Sequence, residues 1–91
     1  MSRTIVKNIL SEYFDKIQSG EKTYELRLAD WECEPGDTLI LVEIDSVSKQ
    51  PSGRKLKRKV GFVGRTKDYD FWSKEDIEKY GYQIISLLEE S

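Results

Sequence analysis

The sequence predicts an α+β domain in which five short strands, interrupted by two short helices, form an antiparallel or mixed sheet curling into a small, partly open β-barrel. Three observations carry this. Its apolar runs are short and rich in β-branched residues, turn signatures fall between them, and two stretches carry helix-capping residues. Residues 1–91 form one domain, since a chain of this length buries a single core and has no internal repeat or linker.

Thr4–Val6 is the first strand, by its β-branched residues. Ser11–Ser19 follows as a helix: Ser11 is the expected N-cap, Glu12 and Asp15 suit its first turns, and Gly20 suits the position just past its end. Tyr13, Phe14 and Ile17 supply its buried stripe, with Leu10 packing from before the cap. Lys22–Leu28 is the second strand, with Lys22, Tyr24 and Leu26 on one side and Thr23, Glu25 and Arg27 on the other. Ala29–Glu34 is an exposed acidic loop carrying Trp31.

Pro35-Gly36-Asp37 is a tight turn into the strand Thr38–Asp45, whose apolar first half predicts burial on both faces. Ser46–Gly53 is a wide hairpin loop and Lys55–Val63 the returning strand. Thr66–Trp72 is irregular and aromatic. Ser73 caps a second helix with Asp76 at the third helical position, Gly81 ends it, and Tyr82–Leu88 is the last strand.

Composition excludes several kinds of chemistry. There is no histidine, so Cys/His zinc sites, Ser-His-Asp triads and Cys-His pairs cannot form within the chain, and no metal or other cofactor is expected. Cys33 stands alone between Glu32 and Glu34, which argues against both an internal disulfide and a reactive thiol. No apolar run approaches the roughly 20 residues that span a bilayer. Residues 1–8 lack the apolar core of a secretory signal, so a cytoplasmic protein without membrane contact is expected.

The net charge of −2 hides a strong polarity. Between Lys49 and Lys67 there are eight basic residues and no acidic one, against a balance of −10 over the other 72 residues. Within that segment Lys55, Lys57 and Lys59 share one strand face, a row about 13 Å long at a rise of about 3.3 Å per residue, and Arg58 lies on the other. Such a row can follow a phosphate backbone. Equally, a hairpin that pairs Glu43 with Lys57 and Asp45 with Lys55 makes it a cross-strand charge ladder.

Gly20–Arg27, GEKTYELR, is the second candidate. Lys22 and Arg27 can bind phosphate or a base edge, and Glu25 can accept hydrogen bonds from a base or move a proton. The bland alternative is an edge strand whose charges block aggregation. Trp31, beside Asp30, is the best-placed stacking residue, whereas Phe71 and Trp72 are expected to pack in the core.

GEKTYELR fits the G-x-K-x-x-E-x-R signature of ASCH domains, in the PUA-like superfamily. The helix EYFDKIQSG before it, Asp30 after it, PGDTLILVEID, the Ser52-Gly53-Arg54 hairpin and the closing YQIISL resemble a small bacterial and phage branch of that family over roughly Lys7–Leu88. The resemblance implies a PUA-like barrel with two flanking helices and a cleft walled by the motif. It also implies RNA, single-stranded nucleic acid or a nucleoside as partner, with Gly20, Lys22, Glu25 and Arg27 at the motif positions; beside these, the residues themselves suggest Thr23, Asp30 and Trp31 at the ligand and Lys55, Lys57, Arg58 and Lys59 on the nucleic-acid backbone. Relatives that deacylate acetylated cytidine keep a lysine like Lys22 but carry a threonine nucleophile where this chain has Glu25. A binding module is therefore the favoured expectation. A hydrolase acting on a modified nucleoside or RNA through Lys22 and Glu25 is the alternative, and a protein-interaction domain the third reading.

Overall fold

In a computed structural model, which describes residues 2–89, the strands are β1 (Thr4–Leu10), β2 (Thr38–Ile44) and β3 (Pro51–Lys59), and the helices are α1 (Ser11–Gln18) and α2 (Lys74–Tyr80). A 3₁₀ turn lies at Thr66–Asp68. The fold is α+β. Its mixed sheet has the order β1-β2-β3, with β1 parallel and β3 antiparallel to β2. Parallel neighbours need a long crossover, which α1 and the following residues 19–37 provide.

β1 runs four residues beyond the expected Thr4–Val6, because Lys7–Leu10 pair in register with Leu41–Ile44 and the ladder overrides the weak β propensity of Lys7 and Asn8. The helix then starts at once. Leu10, not Ser11, occupies the cap position, and the Ser11 hydroxyl instead donates to the Ile44 carbonyl at 3.2 Å. In α2 the capping expectation holds: Ser73 Oγ accepts from the Asp76 amide at 3.1 Å, and Gly81 ends the helix at φ 68°.

Register and alternation give the sheet two unlike faces. Ile5 and Ile9 share one with Leu39, Leu41 and Leu56, and α1 lays Phe14 and Ile17 against it to complete the core. Phe14 and Leu41 are the most deeply buried side chains, each 1% exposed. The opposite face carries Val6, Ile40, Val42 and Ile44, of which Val6 is exposed and the others half-buried, so β2 is fully covered on one side rather than both. Tyr13 leaves the helix stripe for the surface, where its ring lies 5.4 Å from the Lys22 ammonium.

Two carboxylates are buried at the ends of β2. Asp37 follows the Pro35-Gly36 turn, where Gly36 adopts φ 96°. It accepts the Arg3 amide at 2.9 Å and the Glu34 amide at 2.8 Å, and these donors hold its carboxyl below the usual range. Glu43 accepts Arg54 Nε at 2.8 Å and Nη2 at 2.6 Å, together with the Ser52 hydroxyl. Arg54, then Ser52, pull its carboxyl from 4.5 down to about 2.

Three expected features differ. A register shift between Val42 and Ile44 starts β3 early, at Pro51, and shrinks the wide loop to a turn in which Asp45 Oδ1 accepts the Val47 and Ser48 amides at 2.8 Å. β3 ends at Lys59, short of the expected Val63; just past it the Val60 amide donates to Asp37 O and the Val60 carbonyl accepts from Gly36 N, both at 2.8 Å, in the turn before β2. Lys22–Leu28 and Tyr82–Leu88 join no ladder, so the three-stranded sheet is open. Among the described residues no helix is long and apolar enough to cross a membrane.

Phe14→Ala should lower unfolding free energy by about 3–5 kcal/mol in urea titrations; a loss below about 1 kcal/mol would contradict its central place. A carboxyl with a depressed folded-state pKa adds stability above its unfolded value and loses it as pH falls through the folded value. For Glu43 that window runs from about 4.5 to about 2. The urea midpoint should therefore drop across it, and drop less steeply in Glu43→Gln. Parallel declines in the two proteins would count against this account.

Candidate functional site

The charged motif begins at the end of α1. Ser19 N bonds Asp15 O at 3.0 Å and Gly20 N bonds Ile17 O at 3.1 Å. Gly20 then takes φ 86°, a left-handed conformation that glycine adopts without a Cβ penalty. Lys22 N closes on Lys16 O at 3.0 Å, so the chain doubles back before the motif starts.

Strand alternation would separate Lys22 from Glu25 and Arg27, yet the structure brings all three together. Lys22 Nζ donates to Glu25 Oε1 and to the Tyr24 carbonyl, each at 3.0 Å. Arg27 Nε donates to Glu25 Oε2 at 2.8 Å, and its Nη2 reaches Asn8 O at 2.6 Å on the β1 edge. A segment outside any ladder is free to curl in this way. The Lys22, Glu25 and Arg27 side chains are only 13, 19 and 26% exposed. Lys22 is further enclosed by the Tyr24 ring, 4.7 Å away.

This triad separates two hollows. The smaller, about 400 Å³, lies toward Asn8, Leu10 and Tyr13. The larger, about 560 Å³, lies between the end of α1, residues 22–31 and residues 58–65, and includes Leu39, Leu41 and Trp31 among its lining. Five basic residues border it, Lys22, Arg27, Arg58, Lys59 and Arg65, and Glu25 is its one acidic neighbour among the described residues. The cleft is thus basic in a chain of net charge −2.

Thr23 lines this cleft and its amide donates to Ser86 Oγ at 3.2 Å. Asp30 is exposed and lies outside the lining. Trp31 differs from the free loop residue expected: it is half-buried against the core, and Lys7 places its ammonium 4.2 Å from the ring centre. Lys7 shares the core face, and a cation over an aromatic ring lets both sit there. Phe71 and Trp72 also depart from expectation, at 73 and 55% exposed. They form a surface row of ring contacts with Tyr69 and Tyr82.

The basic strand divides between the two faces. Lys55, Lys57 and Lys59 stand opposite Val42, Ile40 and Thr38 on the outer face, while Arg58 stands opposite the buried Leu39 on the cleft side. The charge ladder is absent, because Glu43 turns inward to Arg54 and Asp45 is held in the turn. Sequence reasoning did not single out Arg65 for the cleft or Arg54 for the core. The Ser52-Gly53-Arg54 hairpin was the available signal for the latter, since it sets a guanidinium beside Glu43. Among the described residues no group of three or more Cys, Asp or Glu side chains is arranged to hold a metal ion.

The chain belongs to the family described as Domain of unknown function (DUF3850), whose model matches residues 6–86. That span includes the triad and every residue lining the two hollows. No curated protein matches the chain.

The Thr23–Ser86 bond ties the motif to the C-terminal segment at one point. Ser86→Ala should raise amide hydrogen exchange at Thr23 roughly 2- to 10-fold, as expected for losing a bond of about 0.5–1.5 kcal/mol. Unchanged exchange there would show that the tether is not made.

Proposed function

We propose that this domain is an RNA- or nucleotide-binding module of the ASCH, PUA-like kind, and that the larger cleft is its recognition site. The observation that carries this reading is the cleft's lining: five cations border an apolar floor, and the one carboxylate among them is already paired on both oxygens. Phosphate suits the cations, and a base suits the flat apolar surface of Trp31 and Tyr24. The volume of about 560 Å³ falls within the range of small-ligand pockets.

The same geometry favours recognition over hydrolysis. Each Glu25 oxygen accepts from a cation, so the carboxylate serves as a brace that aims Lys22 and Arg27. The barrel belongs to this proposal as well. Residues 22–28 and 82–88 touch through Thr23 and Ser86, which supports their closing the open side of the sheet.

Anisotropy titrations with labelled single-stranded RNA test the reading. Affinity should fall steeply between about 50 and 200 mM salt, and Arg27→Ala should weaken it about tenfold with the fold intact. Lys55→Glu with Lys57→Glu probes separately the part of the outer row that does not border the cleft. Binding that is absent or indifferent to salt would sink the proposal.

A further inference from the structure

The cleft has two electrostatically unlike walls. On one, Glu25 pairs with both Lys22 and Arg27, at 3.0 and 2.8 Å, and offsets one of their two positive charges. On the other stand Arg58, Lys59 and Arg65, which make no ion pair among the described residues. Arg58 and Arg65 each donate one bond to a backbone carbonyl, to Lys57 O at 3.0 Å and Cys33 O at 3.4 Å, and these bonds orient the guanidinium groups without cancelling their charge. A ligand that completes this site brings its negative charge to one end only.

Resting on the recognition reading above, we infer that the cleft's occupant is a nucleoside monophosphate group, with its phosphate against Arg58 and Arg65 and its base toward Trp31 and Tyr24. A phosphate monoester carries about −1.5 to −2 charge at neutral pH and offers three acceptor oxygens. Planar guanidinium donors match those oxygens in pairs. The paired wall, whose two cations share one carboxylate, adds donors with less surplus charge than the three unpaired cations opposite, which suits the polar edge of a base.

A long strand fits this arrangement poorly. The row able to track successive phosphates, Lys55, Lys57 and Lys59, stands with Val42, Ile40 and Thr38 on the outer face, whereas Arg58 stands with Leu39 on the cleft side. Of that row only Lys59 reaches the cleft's lining, so the row does not run along the cleft. The group recognised is a single nucleotide carrying a terminal phosphate, whether free in solution or at the 5′ end of a strand.

Isothermal titration with the four ribonucleoside monophosphates, their parent nucleosides, and short RNAs with and without a 5′ phosphate tests this. Monophosphates should bind at least tenfold more tightly than nucleosides. The double variant Arg58→Ala/Arg65→Ala should erase that preference while its melting temperature stays unchanged, both side chains being exposed. Preference for the 5′-phosphorylated RNA over its unphosphorylated twin identifies a strand end as the source, and binding of free monophosphate alone identifies the small molecule. Either supports the inference. Equal binding of nucleosides and monophosphates overturns it and leaves the recognition reading standing, as does RNA lacking a 5′ phosphate binding more tightly than any monophosphate. A preference that survives in the double variant overturns the assignment of the phosphate to those two arginines. No binding by any of these ligands overturns the recognition reading, and this inference with it.

Discussion

The structure depends on one buried carboxylate. Glu43 lies 3% exposed on the core face of β2, where an unpaired charge costs several kcal/mol. Arg54 meets it with two nitrogens, at 2.8 and 2.6 Å, and also reaches Asp15 of α1 at 2.9 Å while lying 4.6 Å over the Phe14 ring. A single guanidinium thereby joins β2, β3 and α1. The register shift between Val42 and Ile44 lies beside this pair and accompanies the turning of Glu43 inward to Arg54. The helix cannot slide along the sheet without parting Asp15 from Arg54, and the end of that helix is where the charged motif starts.

Asp37 does comparable work at the other end of β2. It gathers the Arg3 and Glu34 amides, while its own carbonyl accepts from Val60. The start of β1, the turn before β2 and the exit of β3 are thus fixed to one residue. Between these two anchors lies the cleft, bordered by residues 22–31 and 58–65, most of which join no ladder. Irregular segments held at rigid ends commonly carry binding residues. Here the anchors lend position to side chains whose own backbone is little constrained.

Local signals in the sequence were faithful to the fold. Gly20, the Pro35-Gly36-Asp37 turn and the Ser73 cap occur where steric and hydrogen-bonding rules require them. Alternation was less informative, because it assigns faces only when a segment pairs in a ladder. Residues 22–28 pair with none, so Lys22 swings round to Glu25. Register is likewise invisible in the apolar pattern: the turn sets Ile44 opposite Pro51 and a shift follows before Val42, so Lys57 faces Ile40 rather than Glu43. Trp31 illustrates a different gap. Acidic neighbours mark Ala29–Glu34 as loop, yet a loop residue can still fold its ring onto the core when a cation such as Lys7 is placed to cover it.

The basic run from Lys49 to Lys67 looks in sequence like one surface for a polyanion, and three dimensions divide it. Arg54 is spent on Glu43 and Asp15, Lys55 and Lys57 stand on the outer face away from the cleft, and Arg58, Lys59 and Arg65 border it. Composition therefore overstates the extent of any continuous phosphate-binding track. What remains at the cleft is a small group of unpaired cations beside apolar side chains, including Leu39 and Leu41. Low-dielectric walls strengthen the field of charges beside them. A few cations so placed can draw an anion to a chain whose overall charge is negative, and because Glu25 offsets part of the charge on the opposite wall, the attraction carries a direction as well as a strength.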